Sequence, residues 1–316
     1  MKKRSFESIN YMIRPNKNVE RKLILATLNR LRVNFPIEKF RYVGFGSMWF
    51  SDFVLMHKAL GISDMVTIEN QKSRAKRVEF NKPFGCIAVK MEEAATALGE
   101  VLDDKQSIVW LDYDGPMKSA VSGDIETAIG AMSPGSMFLV TINAMVDQLR
   151  GHRNGDDEEL SMIDYLVNVC EDESLRSREN EVTRVQFPGL AASILHERIK
   201  SAVLEKKPGC EYRPIWCYKY SDDAEMITVG GMIVDELSEK SFLDSGVSEL
   251  HHVTGDTLFH IELPILTEKE KRALDKRLPS VSPLNVKDIE FELRPSELEA
   301  YQRFYLEYPV FGEMSA

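Results

Sequence analysis

The sequence predicts an α/β protein: a doubly wound, mostly parallel sheet with a terminal antiparallel hairpin. An N-terminal helix precedes it and a small α+β appendage follows it. Three observations predict this. Strand-like and helix-like segments alternate through residues 40–143, the pattern of parallel strands joined by right-handed crossovers. The first strand runs into a glycine turn, Val43-Gly44-Phe45-Gly46, where an open sheet of this kind places a ligand. Two longer strand-like runs then flank a short turn at residues 221–224, a hairpin signature.

In chain order, residues 19–31 set Leu23, Leu25, Leu28 and Leu31 among charges at roughly helical spacing. Residues 40–46 read as a short buried strand entering the turn. Residues 50–60 read as a helix with Phe53, Met56, His57 and Leu60 on one face. Residues 64–69 and 86–90 are the second and third strands, and the Ala-rich stretch 92–102 is a helix. Strands at 107–112 and 136–143 enclose a helix at 120–132. The acidic stretch 156–172 and residues 190–204 read as helices before the hairpin strands 213–220 and 225–234. Beyond Leu237 come a loop, a strand-like run at 257–265 and a charged helix at 268–278. A linker punctuated by Pro279 and Pro283 then leads to a last helix near 295–305. The expected organisation is a basic helical segment (1–35), the sheet domain (36–237) and an appendage (238–316).

At 316 residues the chain can bury a full core. Its longest apolar runs, such as 137–142, are far too short to cross a bilayer. The basic start Met1-Lys2-Lys3-Arg4 continues into Ser5-Phe6-Glu7-Ser8 rather than an apolar stretch, so no secretory leader is expected. Cys86, Cys170, Cys210 and Cys217 show no CxxC spacing, which argues against a disulfide framework or zinc site and for a reducing cytoplasm. Forty basic against fifty acidic side chains leave a net charge of −10, unfavourable for coating nucleic acid non-specifically. Locally the balance reverses. Lys2, Lys3, Arg4, Arg14, Lys17, Arg21, Lys22 and Arg30 face only Glu7 and Glu20 in the first 31 residues.

Glycines between a strand and a helix let the backbone turn tightly and approach a ligand without a Cβ in the way. A dinucleotide fingerprint needs a third small residue three positions after Gly46, where this chain has Trp49. A tryptophan there would obstruct a diphosphate, disfavouring NAD or FAD. Glu69 ends the second strand 23 residues after Gly46, where a carboxylate can accept both ribose hydroxyl protons of an adenosine. Met91, after the third strand, could pack on a purine face. The fourth strand ends in Trp110-Leu111-Asp112-Tyr113-Asp114-Gly115-Pro116, bringing two carboxylates and an aromatic ring to the expected reacting centre. A carboxylate there can orient a nucleophile and take its proton. Arg14 or Lys17 could cap a cofactor carboxylate or grip an anionic substrate, or could belong to a solvated amphipathic helix. His57 reads as a core histidine. The adjacent His251 and His252, with His260 nearby, do not make a metal site.

Together, Val43-Gly44-Phe45-Gly46, Glu69 and Asp112-Tyr113-Asp114-Gly115-Pro116 resemble the class I S-adenosylmethionine-dependent methyltransferases, whose Rossmann-like sheet also ends in a hairpin. Within them, Val109-Trp110-Leu111-Asp112-Tyr113-Asp114-Gly115 is similar to the Asp-x-Asp-Pro-aromatic-Gly motif of tRNA guanine N2-dimethyltransferases. The strand beginning Gly135-Ser136-Met137 resembles the one that follows in that family. This chain has Gly115 where that motif has proline, places its aromatic earlier as Tyr113, and lacks a cysteine-rich C-terminal element. The resemblance spans roughly residues 40–234. It implies S-adenosyl-L-methionine as cofactor, with Gly44, Gly46 and Glu69 on it and Asp112 and Asp114 near the acceptor. Phe45, Ser47, Asn70, Met91, Arg14, Lys17 and Asp112 complete the candidate cofactor set, and Asp112, Tyr113, Asp114 and Pro116 the candidate catalytic set. A non-catalytic adenosine-binding or partner-binding module is the alternative, and a nicotinamide-dependent oxidoreductase a weaker one. The acidic surface favours a small-molecule or protein acceptor, whereas the basic N-terminal segment and the tRNA-enzyme similarity favour nucleic acid.

Overall fold

The structure, a computed structural model, describes residues 14–103 and 105–309. The expected basic positions 2–4 therefore lie outside the described residues. Helix α1 (Pro15–Leu31) begins with proline in its first turn, where a missing N–H costs nothing. Then follow β1 (Arg41–Gly44), α2 (Ser51–Leu60), β2 (Asp64–Ile68), α3 (Ala75–Asn81), β3 (Ile87–Lys90) and α4 (Ala94–Val101). Next come β4 (Ser107–Asp112), α5 (Ser119–Ala131), β5 (Met137–Asn143), α6 (Met162–Cys170) and α7 (Phe187–Lys206). The hairpin β6 (Glu211–Ser221) and β7 (Glu225–Val234) leads to α8 (Glu236–Asp244), β8 (Phe259–Ile261), α9 (Glu268–Asp275) and α10 (Pro295–Phe304).

The eight strands form one sheet in the order β3-β2-β1-β4-β5-β7-β6-β8. Strands β1 to β5 run parallel, β7 lies antiparallel between β5 and β6, and β8 pairs parallel to β6. The order reverses between β1 and β4, so a crevice opens at the carboxyl ends of those two strands. Both faces of the sheet are covered. Leu98 of α4, Ile125 and Ile129 of α5, Leu166 of α6 and Leu195 and Ile199 of α7 pack against Val109, Leu111, Val140 and Ile142. On the opposite face Val19, Leu23, Ile24 and Leu28 of α1 and Phe53 and Met56 of α2 meet an aromatic layer of Tyr42, Trp110, Trp216, Tyr218 and Tyr220. A smaller cluster around Leu274, Leu298 and Tyr301 holds the C-terminal helices together.

The structure departs from the expected elements in identifiable places. Helix α1 starts four residues before the expected Val19, because Asp222 in the hairpin turn accepts the N–H groups of Asn16 and Lys17 at 2.9 and 3.0 Å. The acidic stretch is helical only from Met162, where the Ser161 hydroxyl accepts the Asp164 N–H. Before it the chain doubles back through an Arg153–Glu159 bridge. Helices α3 and α8 stand where no helix is expected. The strand-like run at 257–265 shortens to β8, which joins the main sheet.

Candidate active site

The crevice is built outward from the turn after β1. A Cβ on Gly44 would lie 2.9 Å from the Trp110 carbonyl, so this glycine lets β1 close on β4. A Cβ on Gly46 would stand 2.7 Å from both the Phe50 ring and Thr67 Oγ1, and the Gly46 N–H donates to that hydroxyl at 2.8 Å. The next N–H, of Ser47, donates to Glu69 Oε1 at 2.7 Å. The turn thus holds the carboxylate that ends β2. Burial raises the Glu69 pKa, and the Ser47 N–H offsets part of that rise.

At the end of β4, Tyr113 packs edge-on against Phe45 with ring centroids 5.1 Å apart. Its hydroxyl donates to Asp124 Oδ2 of α5 at 2.6 Å. Burial pushes the pKa of Asp124 up, with Glu93 adding to the rise, and this neutral donor is what satisfies it. Beside Tyr113, the Asp112 carboxylate receives Lys17 Nζ from α1 at 3.0 Å. Burial would lift its pKa, but Lys17, then Arg14 and Arg21, hold it below the usual carboxylate range. One turn beyond Lys17, Arg21 pairs with Asp52 of α2.

These groups converge on a cavity of about 230 Å³. Phe45, Gly46 and Ser47 of the turn line it, with Glu69 from β2 and Asp112, Tyr113 and Asp114 from β4. A family model described as "Putative O-methyltransferase" matches residues 9–316. The chain belongs to that family. It is a methyltransferase, and its sheet is the class I methyltransferase sheet expected from the sequence.

Solved structures resemble this methyltransferase distantly. A fibrillarin pre-rRNA processing protein from Methanococcus jannaschii aligns with TM-score 0.38 and 9% identity, covering 64% of this chain and 70% of its own. Human N-acetylserotonin methyltransferase, solved in complex with S-adenosylmethionine, aligns with TM-score 0.35 and 10% identity, covering 65% and 51%. An O-methyltransferase structure from Klebsiella pneumoniae gives 0.41 and 12%, covering 68% and 80%. Scores at that level say nothing further about the chain. No curated protein matches it. None of these findings extends the local similarity to tRNA guanine N2-dimethyltransferases.

Six expected residues of the methyltransferase site do not line the cavity. Gly44 is taken up by strand packing and Pro116 is buried behind the turn. Asn70 is exposed and donates to Glu93 Oε2 at 3.3 Å, while Met91 borders a shallow groove beside α3 with Phe80 and Val89. Arg14 pairs with Asp222 at 3.7 Å, and Lys17 is wholly buried behind Asp112, so neither reaches a ligand in the cavity directly. Trp49 is 41% exposed and does not obstruct the cavity. The ring packed beneath Gly46 is that of Phe50. His57 is half-buried, with Nδ1 2.8 Å from the Ile62 carbonyl.

Lining residues outside the candidate site set include Arg21, Asp52, Arg74 and Val78. Arg21 was within reach of it, four residues after Lys17 on the same helix face. Arg74 and Val78 belong to the segment around α3, which has no clear apolar period. Among the described residues no group of three or more His, Cys, Asp and Glu could hold a metal ion. No helix there is long and apolar enough to cross a membrane.

Proposed function

We propose that this cavity binds S-adenosyl-L-methionine and that the protein passes the methyl group to an acceptor held at the end of β4. The observation that carries the reading is Glu69. Its carboxylate lines the cavity, is fixed by the Ser47 N–H, and has acceptor capacity left for a vicinal diol. The rest of the lining suits the same ligand. Arg21 and Arg74 bring positive charge for a carboxylate, Asp112 and Asp114 bring negative charge for an ammonium or a hydroxyl, and Phe45 and Tyr113 form an aromatic wall.

When bound, S-adenosylmethionine supplies a methyl group already activated on a sulfonium, so the protein's own part is to position, desolvate and manage one proton. Asp112, held ionised below the usual range, accepts a hydrogen bond from the acceptor and is a poor proton sink. Asp114, exposed at the mouth, is the carboxylate placed to take the proton as the new bond to the methyl carbon forms. The family description favours an oxygen acceptor. The test is calorimetric titration and thermal shift with S-adenosylmethionine and S-adenosylhomocysteine, with NAD as control. Ligand at about 100 times its Kd should stabilise the fold by roughly 2.7 kcal/mol. The reading predicts that both sulfur ligands bind and NAD does not. No heat and no shift with either sulfur ligand overturns it.

A further inference from the structure

Among the described residues, Lys17 is the one lysine in the set of largest fully buried side chains, and its surroundings are unusually specific. Its Nζ lies 2.7 Å from Glu20 Oε2 and 3.0 Å from Asp112 Oδ2. It also stands 4.7 Å above the Trp110 ring and 5.2 Å from that of Tyr220. A buried ammonium is tolerated only with such compensation. Glu20, its partner on α1, ends a chain of hydrogen bonds that starts at Trp110. Trp110 Nε1, which can only donate, gives its proton to Thr141 Oγ1 at 3.0 Å. Thr141 and Thr228 share the next bond at 2.7 Å, and the Thr228 hydroxyl donates to Glu20. The chain reaches Glu20 at Oε1, and Lys17 meets the same carboxyl group at Oε2. Lys17 thus sits between two carboxyl groups, that of Asp112 and that of Glu20, whose own pKa burial pushes up.

We infer that Lys17 is a positioning residue: a fixed, buried cation that keeps the Asp112 carboxylate ionised and aimed into the cavity. The inference rests on reading the cavity as the methyl-transfer site. Lys17 never meets the ligand and acts wholly through Asp112. The groups facing Asp112 come from α1, β1, β6 and the segments beside α1 and β4. Lys17, Glu20 and Arg21 lie on α1 and Arg14 just before it, Tyr42 on β1 and Tyr220 on β6, while Tyr113 and Asp114 follow it from β4. Lys17 is in direct contact with Asp112 at 3.0 Å. Burial alone would lower its own pKa, but Asp112 and Glu20 together raise it well above the usual lysine value.

The test is to follow the carboxyl carbon of Asp112 by NMR in protein labelled at aspartate Cγ, with Asp112→Asn identifying the signal. In the wild type the signal should stay that of a carboxylate to below the ordinary aspartate range. In Lys17→Met it should titrate about 1 to 3 pH units higher, the usual effect of an opposite charge at this distance. Lys17→Met/Glu20→Gln removes both charges of the buried pair and serves if the single variant does not fold. It should show the same upward shift. The pH profile of S-adenosylhomocysteine affinity should move in the same direction. An Asp112 signal that titrates at the wild-type pH in either variant overturns the inference. An Asp112 shift as expected, in a wild-type protein that binds neither sulfur ligand, sinks the proposed function and leaves the positioning role standing.

Discussion

Replacing Glu69 by glutamine should separate ligand binding from folding. Glutamine keeps a carbonyl oxygen for the Ser47 N–H, now bonded to Glu69 at 2.7 Å, so the turn after β1 retains its tether. Its amide nitrogen can only donate, and so cannot accept a ribose hydroxyl proton. Losing a hydrogen bond to an ionised group costs about 1.5–3 kcal/mol, or roughly 10- to 150-fold in Kd. The fold should respond in the opposite sense. Burial raises the Glu69 pKa, so the folded state binds that proton more tightly than the unfolded chain. Stability then declines as pH rises between the ordinary and the raised value, and at neutral pH the ionised group is a net cost that glutamine removes. Calorimetry with S-adenosylhomocysteine should show the loss of affinity, and thermal denaturation an equal or higher Tm. Wild-type affinity should also weaken as pH falls through the raised Glu69 pKa, earlier than for an ordinary glutamate, and this limb should vanish in the variant. A glutamine variant that binds within about twofold of wild type would refute the assignment. Loss of affinity together with the fold would refute the division between the two.

Other positions test the architecture around the site. Gly46→Ala should cost about 1–3 kcal/mol in urea denaturation, because its Cβ would stand 2.7 Å from the Phe50 ring and Thr67 Oγ1. A smaller residue at Phe50 should recover part of that loss, and strict additivity of the two changes would argue against the contact. Asp222→Ala strips the acceptor from the Asn16 and Lys17 N–H groups and should destabilise by about 1–2 kcal/mol. The first turn of α1 should then exchange its amide hydrogens faster, and unchanged protection there would contradict the capping role. Tyr113→Phe deprives Asp124 of its 2.6 Å donor and should cost about 1–3 kcal/mol, much of it recovered in the Asp124→Asn background. A neutral result in the single variant would show that Asp124 is satisfied without Tyr113.

The strands of the sheet were legible because each is a short apolar run bounded by turn residues, and their alternation with helices dictated the parallel order. The glycine turn, Glu69 and the β4 terminus were legible for the same reason: each falls at the carboxyl end of a strand, where a doubly wound sheet opens its crevice. Helix α3 escaped notice because Lys72, Arg74, Lys76, Arg77 and Lys82 surround a lone buried Val78, which leaves no apolar period to detect. Helix α8 announces itself only by Asp235 and Ser238, an N-terminal cap with serine where glutamate or glutamine is usual. The buried charges of α1 were illegible for a different reason. Lys17, Glu20 and Arg21 look like a solvated face until Asp112, Thr228 and Asp52 are brought to them, and nothing local in the sequence joins those positions. Trp49 misled because position alone does not tell whether a side chain turns inward, and here the ring beside it, Phe50, does so.

The anchoring of α1 also bears on how the chain comes into being. Asn16 Nδ2 reaches the Ser221 carbonyl, 205 residues downstream, at 2.8 Å, and its Oδ1 accepts the N–H of Leu263, 247 residues downstream. Strands β1 to β5 leave the ribosome long before the Trp216, Tyr218 and Tyr220 surface that receives α1. The surface that seats α1 is therefore complete only once the hairpin has been made. Until then Val19, Leu23 and Ile24 lack the Trp216, Tyr218 and Tyr220 part of the aromatic layer, and the N–H of Lys17 lacks the Asp222 carboxylate that caps it. A chain ended before Ser221 would lack both the hairpin surface and the turn that anchor α1.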